Sequence, residues 1–182
     1  MGTVTLSHSG TVFNRYINDW IIWLGGAVWT PHNIAAVHSR GAETESRLEW
    51  TTGKVTWHAS VLTSYILATT VSSYVYNDGS LGRQIPYTPR YNARANAGLA
   101  YNRLYLNYNH TYTGYRFTVS DESAWLAPFQ TGNVQLQYIL KLAARNVLLT
   151  AQINNIWNQR YQVVDQRPLP GANWLLGIKA DL

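Results

Sequence analysis

The residues best equipped for chemistry are Glu43, Glu45 and Glu49, which alternate with neighbours through "GAETESRLEW" and share their parity with Arg47. Paired carboxylates at close range can act as general acid and base. On alternate positions of an extended strand, these three share one face with a cation, which is how a wetted wall is built. His8, His32, His38, His58 and His110 show no metal-ligand spacing, and a chain with Cys 0 has no thiolate to help them. The stretch "SDES" at Ser120 to Ser123 offers oxygens that calcium takes, but it reads first as loop chemistry. No phosphate loop, nucleophile elbow or HExxH motif occurs. No catalytic residue, metal or cofactor is therefore expected. What remains is contact chemistry. Trp29, Tyr76, Arg83, Tyr115, Arg116, Trp125 and Arg167 fall in segments that read as loops, where they could meet an incoming ligand. Interfacial anchoring or contact with lipopolysaccharide would use the same side chains.

The elements that must position these residues are strands. Val55, Trp57, Ala59, Val61, Thr63, Tyr65 and Leu67 alternate with Thr56, His58, Ser60, Leu62, Ser64 and Ile66. The same period of two runs through Asn92–Tyr101, Leu104–Thr113, Val134–Leu142, Val147–Ile153 and Trp174–Leu182. Between Gly2 and Trp23 the alternation slips, because Arg15 and Asp19 share parity with Phe13, Ile17 and Ile21. Either a bulge near Val12 or projection into water on both faces would account for it. Glu43, Glu45, Arg47 and Glu49 then face a polar interior, leaving Thr44 and Ser46 for the apolar side.

The connections carry the architecture. Tight turns are expected at Thr51–Lys54, Asn102–Arg103 and Arg145–Asn146. Long loops are expected at 25–33, Ser72–Pro89, Arg116–Gly132 and 162–171. Strict alternation of short and long connections sends every long loop to one end, the pattern of an up-and-down membrane barrel. A Greek-key sandwich would mix the two ends. The expected fold is an all-β transmembrane antiparallel barrel with about eight strands in this chain.

Composition agrees. Of 182 residues only 13% are charged, while Trp 8 and Tyr 13 far outnumber Phe 3. Trp and Tyr join an apolar body to a hydrogen-bonding tip and favour apolar–water boundaries. Trp23, Trp50, Trp57, Tyr65, Tyr101, Tyr105, Trp157 and Trp174 are expected to form girdles at the two interfaces. A mean hydropathy of -0.20 is what alternating strands average to, and no window reaches the roughly 20 apolar residues of a membrane helix. The net charge of +5 comes from scattered residues, so no nucleic-acid partner is expected. "MGTVTLSHSG" has neither the basic nor the apolar region of a secretory signal, so a signal already removed or a cytosolic chain are the alternatives.

The segment "INNIWNQRYQVVDQRPLPGANW" resembles the closing segment of TonB-dependent outer-membrane receptors, with Asn155-Ile156-Trp157, Tyr161, Pro170-Gly171 and Trp174 at the matching positions. "FNRYINDWIIWL", "VWTPHNIAAVHSRGAETE" and "IPYTPRYNARANAGLAY" resemble the same family, and Arg40-Gly41-Ala42-Glu43 fits its Gly-x-Glu strand opener. The Trp/Pro-rich wording is similar to a vitamin B12 (cobalamin) branch. The resemblance implies bacterial outer-membrane residence, capture of a small nutrient ligand by extracellular loops, and passage along a polar lumen. It also implies outer-membrane lipid, lipopolysaccharide and the outer-membrane assembly machinery as partners. That machinery would read the terminal strand through Gly177, Ala180 and Leu182, where the family usually ends in Phe. The match covers the last third or so of such a receptor, so a plug domain and TonB contact belong to parts absent from this sequence. Residues 1–182 are read as a single barrel domain or as the C-terminal barrel segment of a larger receptor. The rival is a self-contained eight-stranded barrel, excised or engineered, acting as a narrow pore or scaffold. A fragment completing a larger barrel with other chains is a third arrangement.

Overall fold

A computed structural model describes residues 2–24, 28–142 and 145–180. Among them every regular element is a strand: β1 (Thr3–Leu24), β2 (Thr30–Thr52), β3 (Val55–Ser72), β4 (Tyr91–Tyr101), β5 (Leu104–Thr113), β6 (Arg116–Phe117), β7 (Trp125–Leu126), β8 (Phe129–Leu142), β9 (Arg145–Asn154), β10 (Gln162–Val164), β11 (Arg167–Pro168) and β12 (Asn173–Ala180). Eight of them form one antiparallel sheet in the order β1-β2-β3-β4-β5-β8-β9-β12, and the pairs β6–β7 and β10–β11 decorate two long loops.

The register decides which side chains share a face. Val4 pairs with Trp50, Trp50 with Trp57, Trp57 with Leu99, Leu99 with Leu106 and Leu106 with Leu136. Leu136 pairs with Ala151, and Ala151 with Leu176. One continuous row of apolar residues thus crosses all eight strands. The opposite face carries Ser60, Asn96, Asn109 and Asn133 along another row. Where polar groups fall on the apolar face they meet each other. Thr44 and Thr63 share a hydroxyl hydrogen bond of 2.9 Å, and His8 and Ser46 one of 2.9 Å. That removes the cost of presenting lone hydroxyls to an apolar solvent.

The apolar band is one strand-crossing high. β4 has 11 residues with a tyrosine at each end. A strand of that length tilted by about 45° rises about 25 Å, the height of a barrel's apolar belt. β1 and β2 are twice as long, at 22 and 23 residues, so their upper halves stand beyond the band. No bulge interrupts β1 at Val12, which pairs with Ala42 in unbroken register. The same register continues past Asp19, which alone drops out of the pairing; its backbone is left-handed (φ 54) and its carboxylate accepts a hydrogen bond from Tyr74. That bond and the charge beside it hold the Tyr74 phenol above its usual pKa.

Two turns fall where the spacing put them. Gly53 (φ 58) and Asn102 (φ 52) take the left-handed conformation that tight hairpins require. The third differs: Arg145 and Asn146 pair with Leu142 and Lys141 and are strand. Phe129–Gly132 and Thr30–Asn33 are likewise strand rather than loop.

The sheet does not close on itself. Among the described residues β1 pairs only with β2, and β12 only with β9. This overturns the self-contained eight-stranded barrel. A closed barrel of that size fills its interior with its own side chains, yet on the polar face Thr5, Ser7, Glu49, His58 and Lys179 all remain exposed.

Candidate ligand vestibule at the long-loop end

Above the band the molecule changes character. β4 ends opposite Tyr65, and the upper half of β3 is paired instead by the chain at 81–90. Ile66 N donates to Arg90 O at 2.8 Å, Ile85 N to Ala68 O at 2.9 Å, and Gly82 N to Thr70 O at 2.8 Å. The buried Gln84 side chain completes the seam by accepting from Ala68 N and donating to the carbonyls of Ile66 and Thr88. Beneath it Ile34, Val37, Ala68 and Ile85 pack into a small core, with Ile22 and Ile66 against them.

Glu122, in left-handed backbone (φ 61), ties the loop at 114–128 to this structure. Its Oε1 accepts from Gln84 N at 2.8 Å, and its Oε2 lies 3.5 Å from Arg83 Nη1. Tyr87 N donates to Phe117 O at 2.7 Å. Arg116, 3% exposed, donates to the carbonyls of Gly114, Ala127 and Gln162 and lies 4.9 Å over the Phe129 ring. Burial pushes its guanidinium below the usual arginine pKa. Phe129 in turn stacks on Tyr161 at 4.4 Å.

The last loop is organised by the motif asparagines. Asn155, 3% exposed and left-handed, donates to the carbonyls of Gln159 and Pro170 and accepts from Gln159 N. Asn158 Oδ1 accepts from Ala172 N at 3.0 Å and sits where a Cβ on Gly171 would collide, at 2.4 Å. Local backbone satisfaction thus explains why Asn155, Pro170 and Gly171 occur together.

The loop residues expected at a ligand site divide by this geometry. Trp29 and Arg167, far apart in sequence, meet: the Arg167 guanidinium lies 5.9 Å from the Trp29 ring, and Tyr87 stands 5.6 Å away on it. Three separate loops therefore contribute to one aromatic–cationic cluster. Tyr115 packs edge-on against Trp125 at 6.1 Å and Phe117 at 5.0 Å. Arg83 is committed to Glu122 and to the Gly79 carbonyl, and Arg116 is committed to its three carbonyls. Tyr76, 98% exposed, is brought to none of them. Tyr87 was not singled out in the sequence. It follows a proline and has φ 57, and only the fold brings it to Trp29. A further cavity of about 410 Å³ opens between Pro128, Phe129, Arg160, Tyr161 and Pro168.

Below the vestibule the polar face is laced by side-chain hydrogen bonds running across strands. Asn96 links Ser60 (3.1 Å) to Asn109 (2.6 Å), and Asn109 accepts from Thr111. Gln135, Gln152, Asn154 and Asn173 form a second chain through β8, β9 and β12. His58 reaches Asn107 across Gly98, where a Cβ would strike the imidazole at 2.1 Å. On β2 the same face carries Arg47 doubly bonded to Glu45.

Trp50, Trp57 and Tyr101 lie on the apolar face near the tight turns, and Tyr65 and Trp174 on it toward the loops. Trp157 joins the second set by laying its indole over Gly132, where a Cβ would meet its nitrogen at 2.6 Å. Two expected girdle residues fall elsewhere. Tyr105 pairs with Ala100 and Gln137, on the polar face. Trp23 pairs with Pro31, a further strand-length above Val12. Tyr91, Tyr112 and Tyr138 share the apolar face instead and were missed, because pairing across strands is needed to align them. Gly177 is on the polar face and Ala180 on the apolar face of β12, while Leu182 lies outside the described residues.

An antiparallel wall with one apolar belt, one polar face and all long loops gathered at one end is the wall of a transmembrane up-and-down barrel. The TonB dependent receptor-like β-barrel family model matches residues 3–156, and the chain belongs to that family. No protein of curated function matches the sequence. Among solved structures, the chain is similar to the siderophore receptor PiuA from Acinetobacter baumannii, at 17% identity and a TM-score of 0.71, over 95% of this chain and 26% of that one. It is similar to BauA, the ferric preacinetobactin receptor from the same organism, at 14% identity and a TM-score of 0.65, over 100% of this chain and 27% of that one. The ferric yersiniabactin uptake receptor FyuA from Yersinia pestis gives 16% and 0.66, over 96% and 27%. The chain thus spans about a quarter of each relative's length, and at these identities the likeness is one of fold.

Proposed function

We propose that residues 1–182 are the C-terminal barrel segment of an outer-membrane nutrient receptor, which captures a small ligand at the loop end and passes it along the polar wall. The observation that carries this reading is the meeting of Trp29, Tyr87 and Arg167, from three loops, above the Ser60–Asn96–Asn109 ladder. An aromatic face beside a guanidinium suits an anionic, partly unsaturated ligand. A wall of amides and hydroxyls exchanges hydrogen bonds with a passing polar solute without holding it by charge.

The cargo class favoured by the solved relatives is a ferric chelate, since those proteins are named for siderophores and ferric complexes. Cobalamin is the second cargo, favoured by the Trp/Pro-rich wording of the sequence. The open edges of β1 and β12 pair with further strands of the receptor, and energy coupling through TonB falls to parts outside residues 1–182. Outer-membrane lipid and lipopolysaccharide bathe the apolar face, and the assembly machinery engages the last strand.

The test is ligand binding by the full receptor, read as quenching of tryptophan fluorescence by ferric chelates and by cyanocobalamin. Arg167→Gln and Trp29→Ala should each weaken binding of the true cargo about tenfold, the loss of one cation–π or charge-assisted contact. Equal affinity in both variants and parent would remove the vestibule from capture. Cyanocobalamin bound in preference to every ferric chelate would reassign the cargo.

A further inference from the structure

On the outer wall, immediately above the apolar belt, the structure holds a cluster that the uptake reading does not use. Asn14, Arg40 and Leu67 form the row next above Val12, Ala42 and Tyr65, and Tyr16 and His38 form part of the next row. By register all of them lie on the apolar, membrane-facing side. The Arg40 Nη1 donates to His38 Nδ1 at 2.9 Å. Because Nδ1 accepts, the neutral ring carries its proton on Nε2, which donates to Asn14 Oδ1. Tyr16 stacks on the same imidazole at 4.2 Å and 7°. Three side chains from two strands, His38 directly and Asn14 and Tyr16 through it, thus position one guanidinium at the belt's upper edge. Among the described residues no carboxylate lies within ion-pair distance of it, the ion pairs there being those of Arg47, Arg83 and Arg90.

The cluster borders a concavity of about 490 Å³: Val12 and Tyr65 line it from the row below, Leu67 lies beside Asn14 and Arg40 in the row above, and His38 stands above them. A free, oriented guanidinium above an apolar slot matches one kind of molecule, an anion carried on hydrocarbon chains. The Tyr65–Tyr91 pair, with ring centroids 5.0 Å apart, marks the level where chain gives way to headgroup. We propose that this concavity is a binding site for a phosphate-bearing lipid of the outer leaflet. Arg40 takes the phosphate through its remaining N–H groups, and Val12, Tyr65 and Leu67 seat an acyl chain. The proposal rests on the long loops lying outside the membrane, and it is independent of which nutrient the receptor takes.

The test uses the full receptor in zwitterionic detergent, with bound lipid counted by native mass spectrometry. The probes are a diacylglycerol phosphate, the parent diacylglycerol, and inorganic phosphate alone. The phosphate lipid should bind, with the diacylglycerol and inorganic phosphate each at least about tenfold weaker, since each offers half of the match. Arg40→Gln should weaken the phosphate lipid about five- to tenfold, the worth of one cation at a membrane surface. Arg40→Lys should recover part of the loss, because the planar fork is gone while the charge stays. Lys54→Gln, in a tight turn at the other end, should change nothing. Should Arg40→Gln fail to fold, Asn14→Asp sets a carboxylate beside the guanidinium and should produce a loss of the same size. Unchanged binding in the Arg40 and Asn14 variants, an equal loss in Lys54→Gln, or inorganic phosphate binding as tightly as the lipid would each overturn the lipid site.

Discussion

The two ends of the same strands are built for different solvents. Among the described residues of the belt no side chain is buried by the protein itself: Val61, Leu106, Leu136, Leu176 and Ile178 remain between 40% and 78% exposed. At the loop end Val37, Gln84, Arg116 and Asn155 are 1–3% exposed, and the buried polar groups among them are hydrogen-bonded. The belt has no core of its own and draws its stability from a paired backbone in an apolar surround. The loop end is packed like a small soluble domain, by an aliphatic cluster and the hydrogen-bonded side chains of Gln84, Arg116 and Asn155. Consecutive stretches of one chain therefore obey opposite burial rules.

The sharpest way to break this comparison is to place a charge on each face of one strand. Val61→Arg puts a cation into the belt's apolar face and should destabilise the folded receptor by about 2–4 kcal/mol. Leu62→Arg, one residue on, joins the polar face between Glu45 and Arg94 and should cost under about 1 kcal/mol. Denaturant unfolding from a bilayer reads both, and equal costs would deny that the faces see different solvents.

A smaller effect should come from Arg116→Leu, which strips a charged donor from three carbonyls at the junction of two loops. A loss of about 2–3 kcal/mol is expected locally. It should appear as faster proteolysis within 114–128 and 155–172, with amide exchange in the belt unchanged. Loss of belt protection as well would mean that the two ends fold as one unit.

The smallest effect is one of pH. Hydrogen bonds from Ser73 and Ser80 hold the Asp78 carboxyl below the usual aspartate range, and those from Ser123 do the same for Asp121. A carboxylate whose folded pKa is depressed stabilises above its unfolded value and loses that contribution as pH falls through the folded one. Loops 73–90 and 114–128 should therefore loosen on acidification below the ordinary aspartate pKa, with no change near neutrality. Hydrogen exchange across that range reads it. Asp78→Asn with Asp121→Asn should abolish the dependence.

Much of the belt was legible in the sequence because a strand's period of two is local. The alternation from Val55 to Leu67 survives intact in β3, and Gly53 and Asn102 mark their turns through a conformation that few residues adopt. The girdle was legible only in part. Trp57 and Tyr101 take the face that the alternation of their own strands gives them. Tyr105 takes the polar face, since its closeness to a turn says nothing about the face it takes. The loop end was the least legible. Arg116 in sequence is one more basic loop residue, and its burial follows from carbonyls at Gly114, Ala127 and Gln162 that converge only after the loops fold.

By itself, then, the sequence determined the strands, the side each residue of a strand takes relative to its neighbours, the short-and-long rhythm of the connections, and the resemblance to the receptor-barrel family. Those properties rest on backbone sterics and local hydrogen bonding, which act within a few residues. The tertiary structure decided that eight strands stop short of closing, that Trp29, Tyr87 and Arg167 meet, and that Arg40 stands at the belt's edge. Each of these depends on register between strands, which is set by the sum of many pairings and written in no single stretch of chain.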